Sequence, residues 1–134
     1  MQLTKLDEFK LADIDAINKV SSPRFKIKQA TGIPIYDLLE RGGKQWRPLL
    51  GMMFAECLGR DLANYEENKD IYFACGLTEI VHNGSLMIDD IEDGSHMRRG
   101  DLCSHKKFGV DVAVNAGNFM YLAPMNKINN FVHE

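Results

Sequence analysis

The segment His82–Gly100, HNGSLMIDDIEDGSHMRRG, crowds Asp89, Asp90, Glu92 and Asp93 together and follows them with Arg98 and Arg99. On an α-helix, residues three, four and seven apart share a face. His82, Ser85, Asp89 and Asp93 fall at such steps and form one stripe. Asp89 and Asp93 then lie one turn apart, where both can reach a common ion. Like charges so placed repel by a few tenths of a kcal/mol when exposed, and unless solvated they need a cation. Magnesium is commonly held by one or two carboxylates together with phosphate oxygens, so Asp89 and Asp93 are candidate magnesium ligands. An EF-hand calcium loop does not fit: its third position would be Ile91 and its twelfth Gly100, and neither side chain carries an oxygen. Acids at a helix C-terminus oppose the helix dipole. The cluster is either a solvated acidic helix end or an arrangement kept for function.

A second group of charges lies upstream. GGKQWRP, Gly42–Pro48, places Lys44 and Arg47 three residues apart beside a glycine pair. Cations so placed can bind a diphosphate, each charge-assisted hydrogen bond contributing about 1.5–3 kcal/mol. Taken singly, GGKQWRP reads as a loop and helix start, and Arg98–Arg99 as a solvated loop. Taken together, one acid cluster and two basic clusters suggest two phosphorylated ligands.

These residues need elements to hold them. Leu3, Leu6, Ile14 and Ile17 recur at helical spacing and predict an amphipathic N-terminal helix within residues 1–22, ended by Ser21-Ser22-Pro23. Gly32-Ile33-Pro34 starts a short helix over 35–40, which Gly42-Gly43 closes. Pro48 suits the first turn of a helix over 47–58, stopped by Gly59. A long helix follows over 66–93, with a stripe at Ile71, Ala74, Cys75, Thr78, Val81, Ser85 and Ile88. A basic loop over 94–109 leads to a last apolar helix over 110–128. No sustained alternation marks a strand, so the expected fold class is all-α, helices packed on helices.

Composition narrows the classes. The chain has 134 residues, 45% of them hydrophobic, enough for one domain with a core. Its 16 basic and 19 acidic residues give a net charge of −3, which offers duplex nucleic acid no general basic field. Three widely spaced cysteines, Cys57, Cys75 and Cys103, suit neither a disulfide framework nor a zinc site. No transmembrane run or signal h-region is visible, which predicts an intracellular protein, cytoplasmic or organellar.

GGKQWRP, HNGSLMIDDIEDGSHMRRG and GVDVAVNAGNFMYL, in this order, resemble the N-terminal half of the trans-isoprenyl diphosphate synthases, above all the eukaryotic geranylgeranyl diphosphate synthases. DDxxD alone is shared with terpene cyclases; the GGKxxRP element and the RRG after the acids favour a chain-elongating synthase. The resemblance covers residues 32–122 and makes the chain the N-terminal portion of a single prenyl synthase domain. It implies a helical bundle around a central cavity and magnesium-dependent condensation of an allylic diphosphate with isopentenyl diphosphate. Asp89 and Asp93 would hold the metal on the allylic diphosphate, Asp90 would support them, and Arg98 would contact the same group. Lys44, Arg47, His82 and Arg99 would bind isopentenyl diphosphate. Bulky aromatics just before the acids stop the growing tail early in this family. Small Gly84 and Ser85 therefore imply products longer than farnesyl, geranylgeranyl diphosphate foremost; the alternative is that they permit close helix packing.

The family carries a second acid-rich motif that faces the first, and no second DDxxD occurs here. The chain is thus expected to be a fragment of a synthase, or a short homologue acting as a non-catalytic diphosphate-binding or regulatory subunit. Alone it is expected to show little or no synthase activity. The resemblance also implies a homodimer or larger assembly, with residues 110–128 in the dimerising region.

Overall fold

A π-helical turn, Lys28–Gly32, leads into the first helix of the computed structural model, which describes residues 28–132. The N-terminal helix predicted for residues 1–22 lies outside the described residues. Helix α1 is Ile33–Glu40, with Pro34 in its first turn, where a missing N–H costs nothing. Gly42 closes it at φ +69°, its N–H reaching the Leu39 carbonyl at 3.1 Å. Helix α2 is Trp46–Cys57, and Gly59 ends it at φ +88°. A 3₁₀ turn, Glu66–Asn68, opens onto the long helix α3, Lys69–Glu92.

The predicted basic loop is more ordered than its sequence suggests. Met97–Arg98 (β1) pairs antiparallel with Asp101–Leu102 (β2), Met97 opposite Leu102 and Arg98 opposite Asp101. Arg99 and Gly100, both at positive φ (52° and 82°), make the two-residue turn. Two central residues with positive φ match the twist of a tight hairpin. The expectation of no strands is therefore corrected. Helix α4, Ser104–Phe108, occupies the rest of that segment, and Gly109 leads into helix α5, Val110–Val132. Helices dominate, so the all-α class holds.

Two apolar clusters hold the layers. Ile35 and Leu38 of α1, Ile80 and Met87 of α3, and Ala116 and Met120 of α5 form one. Met52, Leu62 and Cys75 form the other, between α2 and α3. Gly51 makes the second possible: a Cβ there would stand 2.7 Å from the Cys75 sulfur. The buried side of α3 is Gly76, Glu79, Ile80, Asn83, Gly84, Met87 and Asp90, with Cys75 on its flank toward α2. The predicted stripe meets the packed residues only at Cys75, with Ile71 beside it. Ala74 and Thr78 are exposed, while Val81, Ser85 and Ile88 are half-buried. The sequence pattern misleads because Glu79, Asn83 and Asp90 are polar yet buried.

Candidate functional site: an acid stripe beside converging cations

Helix α3 carries His82, Ser85, Asp89 and Asp93 toward its less buried side, Asp93 being the residue just past its end. Asp89 and Asp93 are exposed, and the Asp93 N–H donates to the Asp89 carbonyl at 2.8 Å, so the helical turn continues through both. Ser85 donates its hydroxyl to the His82 carbonyl at 2.7 Å.

Asp90 differs from its neighbours. It is 2% exposed and receives Arg98 through Nε at 3.0 Å and Nη2 at 2.6 Å. Nη2 also reaches Asp89 at 3.4 Å. Such a two-point carboxylate–guanidinium pair fixes orientation as well as charge. The hydrogen bond to Asp90 raises the Arg98 pKa above its already high ordinary value. Burial and a hydrogen bond to Asp90 push the Cys103 thiol up as well, so it stays protonated. Asp90 thus serves as the anchor of Arg98, leaving Asp89 and Asp93 as the accessible carboxylates.

Arg99 turns toward the glycine pair. A Cβ on Gly43 would lie 2.9 Å from its Nη2, so a side chain there would push that guanidinium aside. Its Nη2 also stands 4.0 Å from the buried Glu79 carboxylate. Gly42, Gln45, Glu79, Asn83 and Arg99 line a small pocket there. Glu79 Oε2 and Asn83 Oδ1 are buried and accept no hydrogen bond among the described residues. Asn83 Nδ2 donates to the Glu79 carbonyl at 2.7 Å and to its Oε1 at 3.2 Å. The sequence reading missed Glu79 and Asn83. Their signal was a pair of polar residues, four apart, on the face that packs.

His82 is where the cationic motifs converge. Burial lowers its pKa first, and the charges of Arg47, Arg99 and Arg98 lower it further against Glu79, which raises it. The imidazole is therefore neutral at pH 7. Arg47 stacks its guanidinium 4.8 Å from the Trp46 ring centroid, and Lys44 is exposed. Gly84 and Ser85 part company: a Cβ at Gly84 would lie 2.9 Å from Met120 Cβ and 3.0 Å from the Gly117 carbonyl oxygen. Gly84 therefore faces α5 across a close crossing, and Ser85 alone stands on the side of the acid stripe.

The chemistry of the donors suits magnesium: two accessible carboxylates a turn apart leave coordination positions for water and phosphate. The described residues hold no group of three metal-ligating side chains, so the set calls for ligands from a bound phosphate or beyond.

Solved prenyl synthases share this helical arrangement. The crystal structure of a geranylgeranyl pyrophosphate synthase superposes with a TM-score of 0.67 at 28% identity, over 97% of this chain and 36% of that one. A family model for polyprenyl synthetase matches residues 29–133, so the chain belongs to the polyprenyl synthetase family, a family of prenyltransferases. A geranylgeranyl pyrophosphate synthase from Geoglobus acetivorans is 41% identical over 83 residues, 62% of this chain and 24% of that protein. The octaprenyl diphosphate synthase of Escherichia coli K12 is 31% identical over 126 residues, 90% of this chain and 36% of that protein. The chain spans only 24–36% of the length of these relatives. No helix among the described residues is long and apolar enough to cross a membrane.

Proposed function

We propose that this chain supplies one wall of a prenyl-transfer site of isoprenoid biosynthesis. There an allylic diphosphate condenses with isopentenyl diphosphate, inside the cell, to give geranylgeranyl diphosphate. Support comes above all from one observation: Arg99 lies against Gly43, which brings the basic hairpin onto the loop that carries Lys44 and Arg47. Lys44, Arg47, Arg99 and neutral His82 would receive isopentenyl diphosphate. Arg98, oriented by Asp90, would receive the allylic diphosphate beside Asp89 and Asp93, the residues that would hold magnesium. Bound there, the metal would neutralise charge on a departing diphosphate. The chain's own part is to fix the cations before the ligand arrives, so that little reorganisation is needed. Ser85, on the side of the acid stripe, would leave room for the growing tail. A homodimer through α5 follows from family resemblance.

A second reading is a diphosphate-binding or regulatory subunit that binds without turnover; exposed Asp89 and Asp93 beside Arg98 support binding in their own right. One assay tests both readings. The purified chain receives magnesium, farnesyl diphosphate and isopentenyl diphosphate, and binding of each diphosphate is measured by calorimetry. Magnesium-dependent binding without product is expected. Robust product would show that this wall is catalytically sufficient, and absence of binding would overturn both readings. In a full-length synthase bearing this segment, Ser85→Phe is expected to shorten the product; unchanged product length would remove Ser85 from the tube.

A further inference from the structure

Arg41 and the charges around it lie outside the proposed diphosphate contacts, and their arrangement is specific. Arg41 caps α1, and its side chain is only 8% exposed. Its Nη1 donates to the Arg98 carbonyl at 2.9 Å, across more than fifty residues of chain. Its Nε donates to the Asp37 carbonyl at 3.1 Å, and its Nη2 pairs with the Asp37 carboxylate. Asp101, on the second strand of the hairpin, lies 3.7 Å from the same Nη2. Lys107 of α4 closes the ring, its Nζ donating to Asp37 at 2.6 Å and to Asp101 at 2.7 Å.

Two cations and two anions therefore alternate around one ring that joins α1, the hairpin and α4. Each carboxylate meets two cations, and Arg41 adds a bond to the backbone between its own loop and the arginine pair. Arginine suits this place because its rigid fork serves a carboxylate and a carbonyl at once, which a lysine point charge does not. Arg41 also immediately precedes Gly42 and Gly43, the latter lying under Arg99. One side chain thus spans the gap between the two basic motifs.

We infer that Arg41, with Asp37, Asp101 and Lys107, is a clasp that positions the Arg98–Arg99 hairpin against the Gly42–Arg47 loop and so sets the spacing of the diphosphate-binding cations. None of the four is among the proposed diphosphate contacts; they act through Arg98 and Arg99. The inference rests on the diphosphate reading for its consequence and on the ring alone for its mechanics, so the two are measured separately.

The mechanics are read by limited trypsin digestion of the 134-residue chain, with mass spectrometry following cleavage after Arg98 and Arg99. Arg41→Gln is expected to speed cleavage there about tenfold while the thermal midpoint falls by no more than about 5 °C, because Lys107 still pairs with both Asp37 and Asp101. Arg41→Lys is expected to restore less than half of the protection. The consequence is read by calorimetry with inorganic pyrophosphate, whose affinity should fall about five- to tenfold in Arg41→Gln and in Asp101→Asn. Unchanged cleavage in Arg41→Gln would overturn the clasp. Faster cleavage with unchanged pyrophosphate affinity would overturn the positioning role and leave the diphosphate site standing. A wild-type chain that binds no pyrophosphate overturns the diphosphate reading and the positioning role with it, while trypsin still decides the clasp.

Discussion

Helix α3 has two sides with different duties. On one, Ile80, Asn83, Gly84, Met87 and Asp90 are buried, several of them against α1 and α5. On the other, Thr78 and Asp89 are exposed and His82 and Ser85 half-buried. The packed side contains the residues whose shapes are fixed by neighbours: a glycine against a glycine, a methionine in the core, an aspartate gripping an arginine. The open side contains the residues proposed to meet ligand. Side chains on one helix share its backbone, so fixing one side fixes where the other presents its groups. Stability and function should therefore separate by side, and substitutions a single residue apart should differ sharply.

The largest effect belongs to Met87, 1% exposed in the first cluster. Met87→Ala should cost about 2–5 kcal/mol, the usual range for emptying such a site, read by urea unfolding. A loss below about 1 kcal/mol would break the comparison at its base.

Next comes the neighbouring aspartate pair. Asp90→Ala strands Arg98, which is partly exposed, so the 3–5 kcal/mol of a fully buried broken pair is discounted to about 2. Asp89→Ala should change stability by under about 0.5 kcal/mol, as surface substitutions do. It should instead abolish the magnesium-dependent part of pyrophosphate binding in calorimetry. Equal destabilisation by the two would dissolve the distinction.

Gly84 and Ser85 sharpen it at adjacent positions. Gly84→Ala forces a methyl against Met120 and the Gly117 backbone, at about 1–3 kcal/mol. Ser85→Ala should stay within about 0.5 kcal/mol. Thermal melts of both variants check the pair.

The smallest effect is in pH. His82 holds its native pKa below the ordinary value of about 6.5, chiefly through burial. Above 6.5 its neutral form contributes fully. As pH falls from there toward the native value, the unfolded chain takes up the proton first and stability declines. His82→Gln should flatten this part of the stability–pH curve between pH 7 and 5; an unaltered slope would show that another group titrates there.

Much of this was legible beforehand, for reasons that differ by residue. The helix ends were readable because Gly42 and Gly59 sit where only a left-handed backbone continues the chain. The family was readable because three motifs occur in order. The hairpin was not, since two-residue strands leave no alternation and its turn is Arg99-Gly100 rather than Asn-Gly. The packed side of α3 was misread because Glu79, Asn83 and Asp90 are polar yet buried, Asp90 held by Arg98 from the hairpin and Asn83 by the Glu79 carbonyl, pairings that composition cannot reveal. Gly84 and Ser85 were read together as small residues that leave room for the tail or permit close helix packing; a one-residue step on a helix is about 100°, enough to put Gly84 at the crossing with α5 and Ser85 on the other side.

The crossing of Gly84 with Gly117 bears on how the chain assembles. It closes a loop of about thirty residues, which costs roughly 3 kcal/mol of chain entropy beyond a constant. Asp89, Asp93, Arg98 and Arg99 all lie within that loop. The acids and the arginine pair thus belong to one short-range folding unit, whereas Lys44 and Arg47 arrive from outside it. The site is nested: an inner circuit tied off by two glycines, onto which the upstream loop must land.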